Sequence, residues 1–383
     1  MSLVSTVVIP SPFANLYPLY EVDPTADTLL IVPPLTTPFA PWDPPSAVTT
    51  ASGAITSPSG LRIKVSSKHL TLASRVFRNK LASSPTTQSD GRIHLTLGPG
   101  FAPKAVQIVL NIIHSRGSKV PREVDLDTLA QIALFVDKFS LFDAVEVYAD
   151  RWISKLEGSV PEAGQRDLVL WIYASYVFRR NEVFRTVTRT AASRSEGQLR
   201  TLGLPIREKI VRDVDAQRQK LVEKSVGVVQ GVLEELTEGE GCERYSCDSF
   251  LLGELVKTLR KNKVQVWPRP ERPFDGVSHA KIAEAVNSSA QFGWQKGVET
   301  DLWGNKVVNG VGAAAKVNRK RKSPVAQPIT PESSPEPAAR TLGGFDGHEC
   351  AARKLVARFE ELDAFEDGVA GLELESSLGY QLY

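Results

Sequence analysis

A chain of 383 residues can form roughly one to three domains and bury a substantial core. Hydrophobic residues make up 42% of it and charged residues 23%, which is the ordinary composition of a soluble globular protein. The formal net charge of +2 is too small for a nucleic-acid or polyanion surface that covers the whole chain.

The cysteines and the apolar runs predict where the protein resides. Cys242, Cys247 and Cys350 are few and odd in number, which indicates a reducing compartment rather than a disulfide framework. The first residues lack a charged n-region and reach a proline after a short apolar run, so we expect no signal peptide. No apolar run approaches the length of a membrane span. We therefore expect an intracellular protein, cytoplasmic, nuclear or both, with no membrane association.

Three stretches near the N-terminus have the pattern of β-strands. The apolar run at residues 27–32 ends at a proline pair, and residues 61–65 and 92–97 alternate between apolar and polar side chains. Residues 1–19 are predicted to be flexible. Residues 33–60, rich in Pro, Ser, Thr and Ala, are predicted to be a mobile insertion. Trp42 in this insertion is either a docking aromatic or a stray one, and the composition favours the stray one.

Amphipathic helices follow these strands. Apolar side chains recur at threes and fours, and hydroxyl or carboxylate side chains stand where helix N-caps are expected. The helices are predicted after caps at Ser66 and Ser67, after Ser74, over residues 103–115, after a cap at Asp125, and over residues 142–156. Strands followed by helices, segregated along the chain, define an α+β domain over residues 20–156.

An all-helical extension is predicted over residues 157–300. The aromatic stripe in residues 167–189 has helical spacing and is expected to lie in the core. A helix beginning at Pro205 and reaching about residue 236 is expected to lie across the domain, because two internal glycines weaken the alternative of a coiled coil. Cys242 and Cys247 could supply two zinc ligands, but a zinc site needs four donors. We favour packing roles for both cysteines and expect no metal.

The composition changes in the C-terminal part. Residues 301–345 are predicted to be a disordered linker that is first basic and then rich in Pro and Ser. Residues 346–383 contain a terminal amphipathic helix that either folds back onto the protein or binds a partner, and folding back is favoured. The basic residues form either a nuclear import signal or a solvated linker: Lys316, Arg319, Lys320, Arg321 and Lys322. Three serines or threonines before prolines are phosphorylation candidates: Ser323, Thr330 and Ser334.

The sequence contains none of the common catalytic signatures. The search finds no dinucleotide-binding glycine pattern, no Walker loop, no paired-histidine metal helix and no nucleophile elbow. Ser278 lacks the second glycine that a hydrolase elbow needs. We therefore expect a protein that is not an enzyme and that has no cofactor.

The order and spacing of several motifs resemble the BTB/POZ family, and specifically its fungal branch. The resemblance covers roughly residues 20–156, with residues 33–60 as an insertion. It is carried by an aspartate before the first core strand, a Leu-Ser-Phe helical hairpin, an Asp-Lys pair and a tryptophan in the last helix: Asp27, Leu70, Ser74, Phe77, Asp137, Lys138 and Trp152. The stretches VSSKHLTLAS and LNIIHSRGSKVP are similar to the fungal branch. The resemblance implies a small sheet with helical hairpins and a role in protein–protein interaction.

The resemblance also implies which partners to expect. Many members carry His-Lys where this chain has Ser66-Ser67, and the basic residue there forms a charged groove with the aspartate. Because Asp27 lacks that partner here, obligate dimerisation and corepressor binding in this groove are not expected, although self-association remains open. The expected role is a scaffold or regulatory adaptor. The alternatives are a substrate adaptor of a cullin-type ubiquitin ligase, disfavoured because residues 98–104 contain no acid, and a transcription regulator that uses the basic segment. Nucleic-acid binding is disfavoured because no base-reading motif accompanies that segment.

Overall fold

The computed structural model describes residues 17–43, 60–83, 87–156, 158, 165–239, 245–265, 267–290 and 352–374. Contacts divide the chain into two compact units. The first unit comprises Met1–Ser225, Pro270–Lys281 and Ala364–Tyr383, and the second comprises Val226–Arg269 and Ile282–Asp363. A small sheet precedes a series of helices, so the predicted α+β class with a helical extension is confirmed.

The sheet has four strands, and three of them were predicted. They are β1 Leu19–Glu21, β2 Thr28–Val32, β3 Leu61–Val65 and β4 Ile93–Thr96, in the order β1-β3-β2-β4. The β2 and β3 strands are antiparallel, while β1 on β3 and β4 on β2 are parallel. The β1 strand was not predicted, because three residues after a proline-rich start carry no readable alternation.

Burial explains the different strand patterns. All five residues of β2 are buried, as expected of a strand with a neighbour on each side and a continuous apolar run. In β3 only Ile63 and Val65 are fully buried, which matches its alternating pattern.

The described part of the chain contains eleven α-helices, the first two of them between β3 and β4. Their bounds are α1 Ser67–Ala73, α2 Arg75–Ser83, α3 Pro103–Ile113, α4 Leu126–Phe139, α5 Phe142–Leu156, α6 Gln165–Val177, α7 Asn181–Arg194, α8 Glu208–Glu238, α9 Tyr245–Lys261, α10 His279–Ala290 and α11 Ala352–Asp367. The stretch predicted over residues 167–189 is divided into α6 and α7 at Arg179, which has a φ of 54°. The aromatic residues Trp171 and Tyr173 are fully buried, so their assignment to the core is confirmed.

The helical hairpin α1–α2 is fixed to α4 through Ser74. This buried serine donates from Oγ to the Phe139 carbonyl oxygen at 2.5 Å and accepts from the Phe77 amide at 3.0 Å. The Phe77 ring stacks on the Phe139 ring with centroids 4.3 Å apart. Leu70 is fully buried on the other half of the hairpin. One hydroxyl therefore caps α2 and joins the hairpin to α4.

The predicted insertion begins with an anchored segment. The Arg166 guanidinium donates to the carbonyl oxygens of Phe39 at 3.1 Å and Ala40 at 2.9 Å. Arg200 donates to the Trp42 carbonyl at 2.7 Å, and its guanidinium carbon lies 4.6 Å from the Trp42 ring centroid. Trp42 thus contacts Arg200 of the same chain. Residues 44–59 lie outside the described residues.

The first unit continues beyond the predicted interaction domain. Buried residues of α6, α7 and the start of α8 belong to the same hydrophobic core as the sheet, among them Leu170, Phe184 and Ile210. The predicted division at residue 156 therefore falls within this unit.

The C-terminal helix folds back, as predicted. Within the second unit, Phe359 and Leu362 of α11 are buried, and Arg358 pairs with Glu235 of α8 at 2.5 Å. Within the first unit, the Leu372 amide donates to Thr188 Oγ1 at 2.9 Å. Contacts of the chain with itself therefore bury Phe359 and Leu362, two apolar residues of this helix.

Several predicted residues lie outside the described residues. They are Cys242, Cys350, Lys316, Arg319, Lys320, Arg321, Lys322, Ser323, Thr330 and Ser334. The predictions for them remain predictions.

Replacing Ser74 tests the connection between the hairpin and α4. Ser74→Ala leaves the Phe139 carbonyl and the Phe77 amide without their buried partner, and we expect it to lower the free energy of unfolding by about 1 to 3 kcal/mol. Ser83→Ala is the control, because Ser83 is exposed and hydrogen-bonds only within its own helix, so its effect should stay within about 0.5 kcal/mol. Urea unfolding followed by circular dichroism measures both, and equal losses in the two variants would contradict this role of Ser74.

Candidate functional site

The start of α1 is capped by a carboxylate from the sheet. Asp27, just before β2, accepts the Ser67 amide at Oδ1 at 2.7 Å and the Ser67 hydroxyl at Oδ2 at 2.5 Å. The Thr28 hydroxyl adds a bond of 3.2 Å to Oδ1. Ser66 is the N-cap residue of α1, as predicted, but its hydroxyl makes no capping bond to any described residue. The predicted cap at Asp125 is confirmed by its 2.7 Å bond from the Thr128 amide.

Asp27 is therefore an ionised and hydrogen-bonded group. Partial burial alone would raise the pKa of its carboxyl, but the two hydrogen bonds from Ser67 and the one from Thr28 outweigh burial and hold the pKa below its ordinary value. A carboxylate at a helix N-terminus is also stabilised by the partial positive charge of the free amides. Where the resemblance would place a lysine, this chain has Ser67. The amide and hydroxyl of Ser67 hydrogen-bond to the two carboxylate oxygens of Asp27 instead.

Two histidines lie beside this cap. The Ser66 amide donates to His114 Nε2 at 3.0 Å, so the ring proton is on Nδ1, which lies 2.8 Å from the Leu110 carbonyl oxygen. The His69 ring stacks on the His114 ring with centroids 4.7 Å apart. Burial lowers the pKa of His114 below its ordinary value, because the hydrogen bond to Leu110 offsets burial only in part.

One face of α1 projects into solvent next to this corner. Lys68, His69 and Leu72 have the i, i+1, i+4 spacing of one helical face and are all exposed. Leu72 is 82% exposed, the highest value among the large apolar residues identified as exposed in the described structure. We call these three residues the α1 surface. An exposed leucine between a cation and an imidazole can contact another protein but has no chemistry of its own.

The residues of the family resemblance do not form one site. Asp27 lies at the corner, whereas Leu70, Ser74 and Phe77 lie in the core. Trp152 is buried, and its Nε1 donates to the Pro121 carbonyl at 3.0 Å.

The predicted Asp-Lys pair lies at the end of α4. Asp137 accepts from the Tyr173 hydroxyl at 3.2 Å, and Lys138 is exposed. Burial of the carboxyl group raises the pKa of Asp137 above its ordinary value, against the lowering effects of the Tyr173 bond and of Arg207, although the residue keeps one solvent-exposed side. Asp137 therefore links α4 to α6, whereas Lys138 has no such role.

A serine, a histidine and a glutamate meet in the first unit without resembling an active site. Ser225 Oγ lies 2.7 Å from His279 Nδ1, and His279 Nε2 lies 3.8 Å from Glu366 Oε2. Sequence reasoning missed this group, because its members come from three distant helices. Ser225 and His279 are fully buried, and the serine hydroxyl is also 2.8 Å from the Leu221 carbonyl of its own helix. The arrangement therefore lies within the core and joins α8, α10 and α11.

The described residues offer no metal site and no membrane span. No group of three or more metal-ligating side chains occurs among them. The backbone of Cys247 lies in α9. No described helix is long and apolar enough to cross a bilayer. Comparison with protein-family models, with curated proteins and with solved structures finds no match.

The cap at Asp27 can be tested by a double-mutant cycle. We expect Asp27→Ala to lower the free energy of unfolding by about 1 to 2 kcal/mol, because the first amide of α1 loses its acceptor. Ser67→Ala keeps that amide bond and should cost less, about 0.5 to 1 kcal/mol. The loss for Asp27→Ala should be smaller in the Ser67→Ala background than in the natural chain. Strictly additive losses in urea unfolding would show that the two side chains are not coupled.

The lowered pKa of His114 predicts a pH dependence of stability. The unfolded chain has an ordinary histidine pKa of about 6.5. The contribution of neutral His114 is therefore complete above that value and is lost as pH falls through the lower pKa of the folded state. Between about pH 7.5 and pH 5, the natural chain should lose stability relative to His114→Gln. Urea midpoints of the two chains measure this difference. Parallel pH profiles would show that the pKa of His114 is the same in both states.

Proposed function

We propose that this chain is a non-catalytic protein–protein interaction protein with a BTB/POZ-like domain, acting as a scaffold or regulatory adaptor. The observation that carries the proposal is the α1 surface, where Leu72 is exposed on a helix that is held at both ends. An exposed apolar side chain on a rigid element provides contact area with little loss of conformational entropy on binding.

The packing of the first unit supports the family part of the proposal. The resemblance requires a strand, a Leu-Ser-Phe hairpin and a following helical layer. In this chain Leu70, Ser74 and Phe77 are buried, and Ser74 joins the hairpin to Phe139 of α4. These residues thus have structural roles that fit an interaction fold.

The state of Asp27 supports contact through the α1 surface rather than through a charged groove. The carboxylate already accepts three hydrogen bonds, two of them from Ser67. A partner that bound this carboxylate would have to displace the cap of α1. The apolar side chain of Leu72 requires no such exchange.

The cullin alternative gains no support from the loop before α3. Phe101 in this loop is buried, and its ring packs against Phe135 with centroids 5.5 Å apart. Its ring therefore contributes to the aromatic core instead of being available to a partner. The transcription-regulator alternative depends on residues 316–322, which lie outside the described residues. Nuclear localisation, which would use the same residues, remains part of the proposal.

Replacing Leu72 tests the proposed function directly. Leu72→Glu should leave folding intact, because the side chain is 82% exposed, and should abolish capture of the partner from the native cell extract. Val147→Glu is the matched control, since Val147 is 78% exposed on α5 and outside the α1 surface. Affinity capture with mass spectrometry, combined with light scattering for self-association, provides the readout.

Comparison with the control variant Val147→Glu separates the possible outcomes of the capture experiment. Proteins retained by the natural chain and by Val147→Glu, but lost with Leu72→Glu, would support the α1 surface. A natural chain that is monomeric and retains nothing would contradict an interaction function. Equal retention by all three chains would place the contact elsewhere.

A further inference from the structure

The second unit carries an apolar groove of about 550 Å³ between the C-terminal half of α8 and the end of α9. Its buried aliphatic floor is formed by Leu233, Leu259 and Val264. Val256 and Trp267 line its edge and are 38% and 66% exposed. Exposed apolar side chains above an aliphatic floor are typical of a site that receives another apolar group.

The end of α9 supplies one wall of the groove. The Val264 amide donates to the Leu259 carbonyl at 2.9 Å, and the Lys263 amide donates to the Arg260 carbonyl at 3.0 Å. These two bonds form a Schellman motif, and the residues at its two hydrophobic positions, Leu259 and Val264, both line the groove. Lys263 occupies the left-handed position with a φ of 57°, where glycine is the usual residue. A lysine therefore stands at a backbone position that glycine usually occupies.

The rim of the groove is basic. Arg260 and Lys263 are both exposed, and none of the described residues that line the groove is acidic. Within the part of the chain that the structure describes, neither cation makes an ion pair. Two such cations beside an aliphatic floor are complementary to a ligand that combines negative charge with apolar bulk.

We propose that this groove binds an acidic protein segment that inserts one or two bulky apolar side chains and pairs its carboxylates with Arg260 and Lys263. The inference rests on the proposed interaction function and adds a second contact surface with a defined partner chemistry. The groove volume accommodates a few side chains, so the segment is short. A nucleic-acid strand fits less well, because the floor is aliphatic and, among the described lining residues, Trp267 alone is aromatic.

Selection of short random peptides displayed on phage against the full-length chain tests the proposal. The enriched peptides should combine at least one Leu, Ile, Phe or Trp with several Asp or Glu residues. The most enriched peptide, labelled with fluorescein, then serves as the probe for fluorescence anisotropy. We expect about tenfold weaker binding for Arg260→Ala and for Trp267→Ala.

Lys263→Gly separates binding from folding. Glycine suits the left-handed backbone, so the unfolding midpoint should stay at or above that of the natural chain while probe binding falls about tenfold. Lys257→Ala is the matched control, because Lys257 is an exposed cation of α9 that does not line the groove, and it should leave binding unchanged.

Any of the following three results would overturn the inference. They are enrichment of peptides without acidic residues, no enrichment above the bare support, and equal binding of the probe by the natural chain and the groove variants. Displacement of the probe by a labelled single-stranded oligonucleotide would assign the groove to nucleic acid. If Leu72→Glu abolishes peptide binding while the groove variants retain it, the peptides bind the α1 surface. That result would contradict the groove proposal and leave the proposed function unaffected.

Discussion

The contact between Asp27 and Ser67 joins the first helix to the sheet of the first unit. A carboxylate at the start of the central strand caps a helix that begins 40 residues later, and so fixes α1 to the sheet. From that point the hairpin reaches Ser74, which joins α2 to α4. The exposed face of α1 therefore has a fixed direction, and this is the property that a docking surface requires.

The same contact shapes what the proposed interaction protein can recognise. The Asp27 carboxylate already accepts two hydrogen bonds from Ser67, so the proposed recognition at this corner relies on the exposed apolar Leu72 and its neighbours. The groove of the second unit has the opposite character, since the proposed acidic ligand would pair there with the exposed cations Arg260 and Lys263. Two surfaces of different chemistry fit an adaptor that contacts more than one partner.

Local patterns predicted much of the fold. The apolar run of β2, the alternation of β3 and the cap at Asp125 depend on residues close in sequence, and the structure confirms them. The role of Asp27 as the cap of α1 and the contact of His114 with Ser66 join residues 40 and 48 positions apart, which no local pattern encodes. The groove was also missed, because Leu233 and Val264 gain meaning only when α8 packs beside α9.

Hydrogen–deuterium exchange of the chain, free and bound to its captured partner, tests the central claim most directly. The account predicts slower exchange on binding at the amides of α1, Ser67–Ala73, because a partner on the α1 surface would suppress the opening of this short helix. Unchanged exchange throughout α1, with protection confined to other elements, would contradict it.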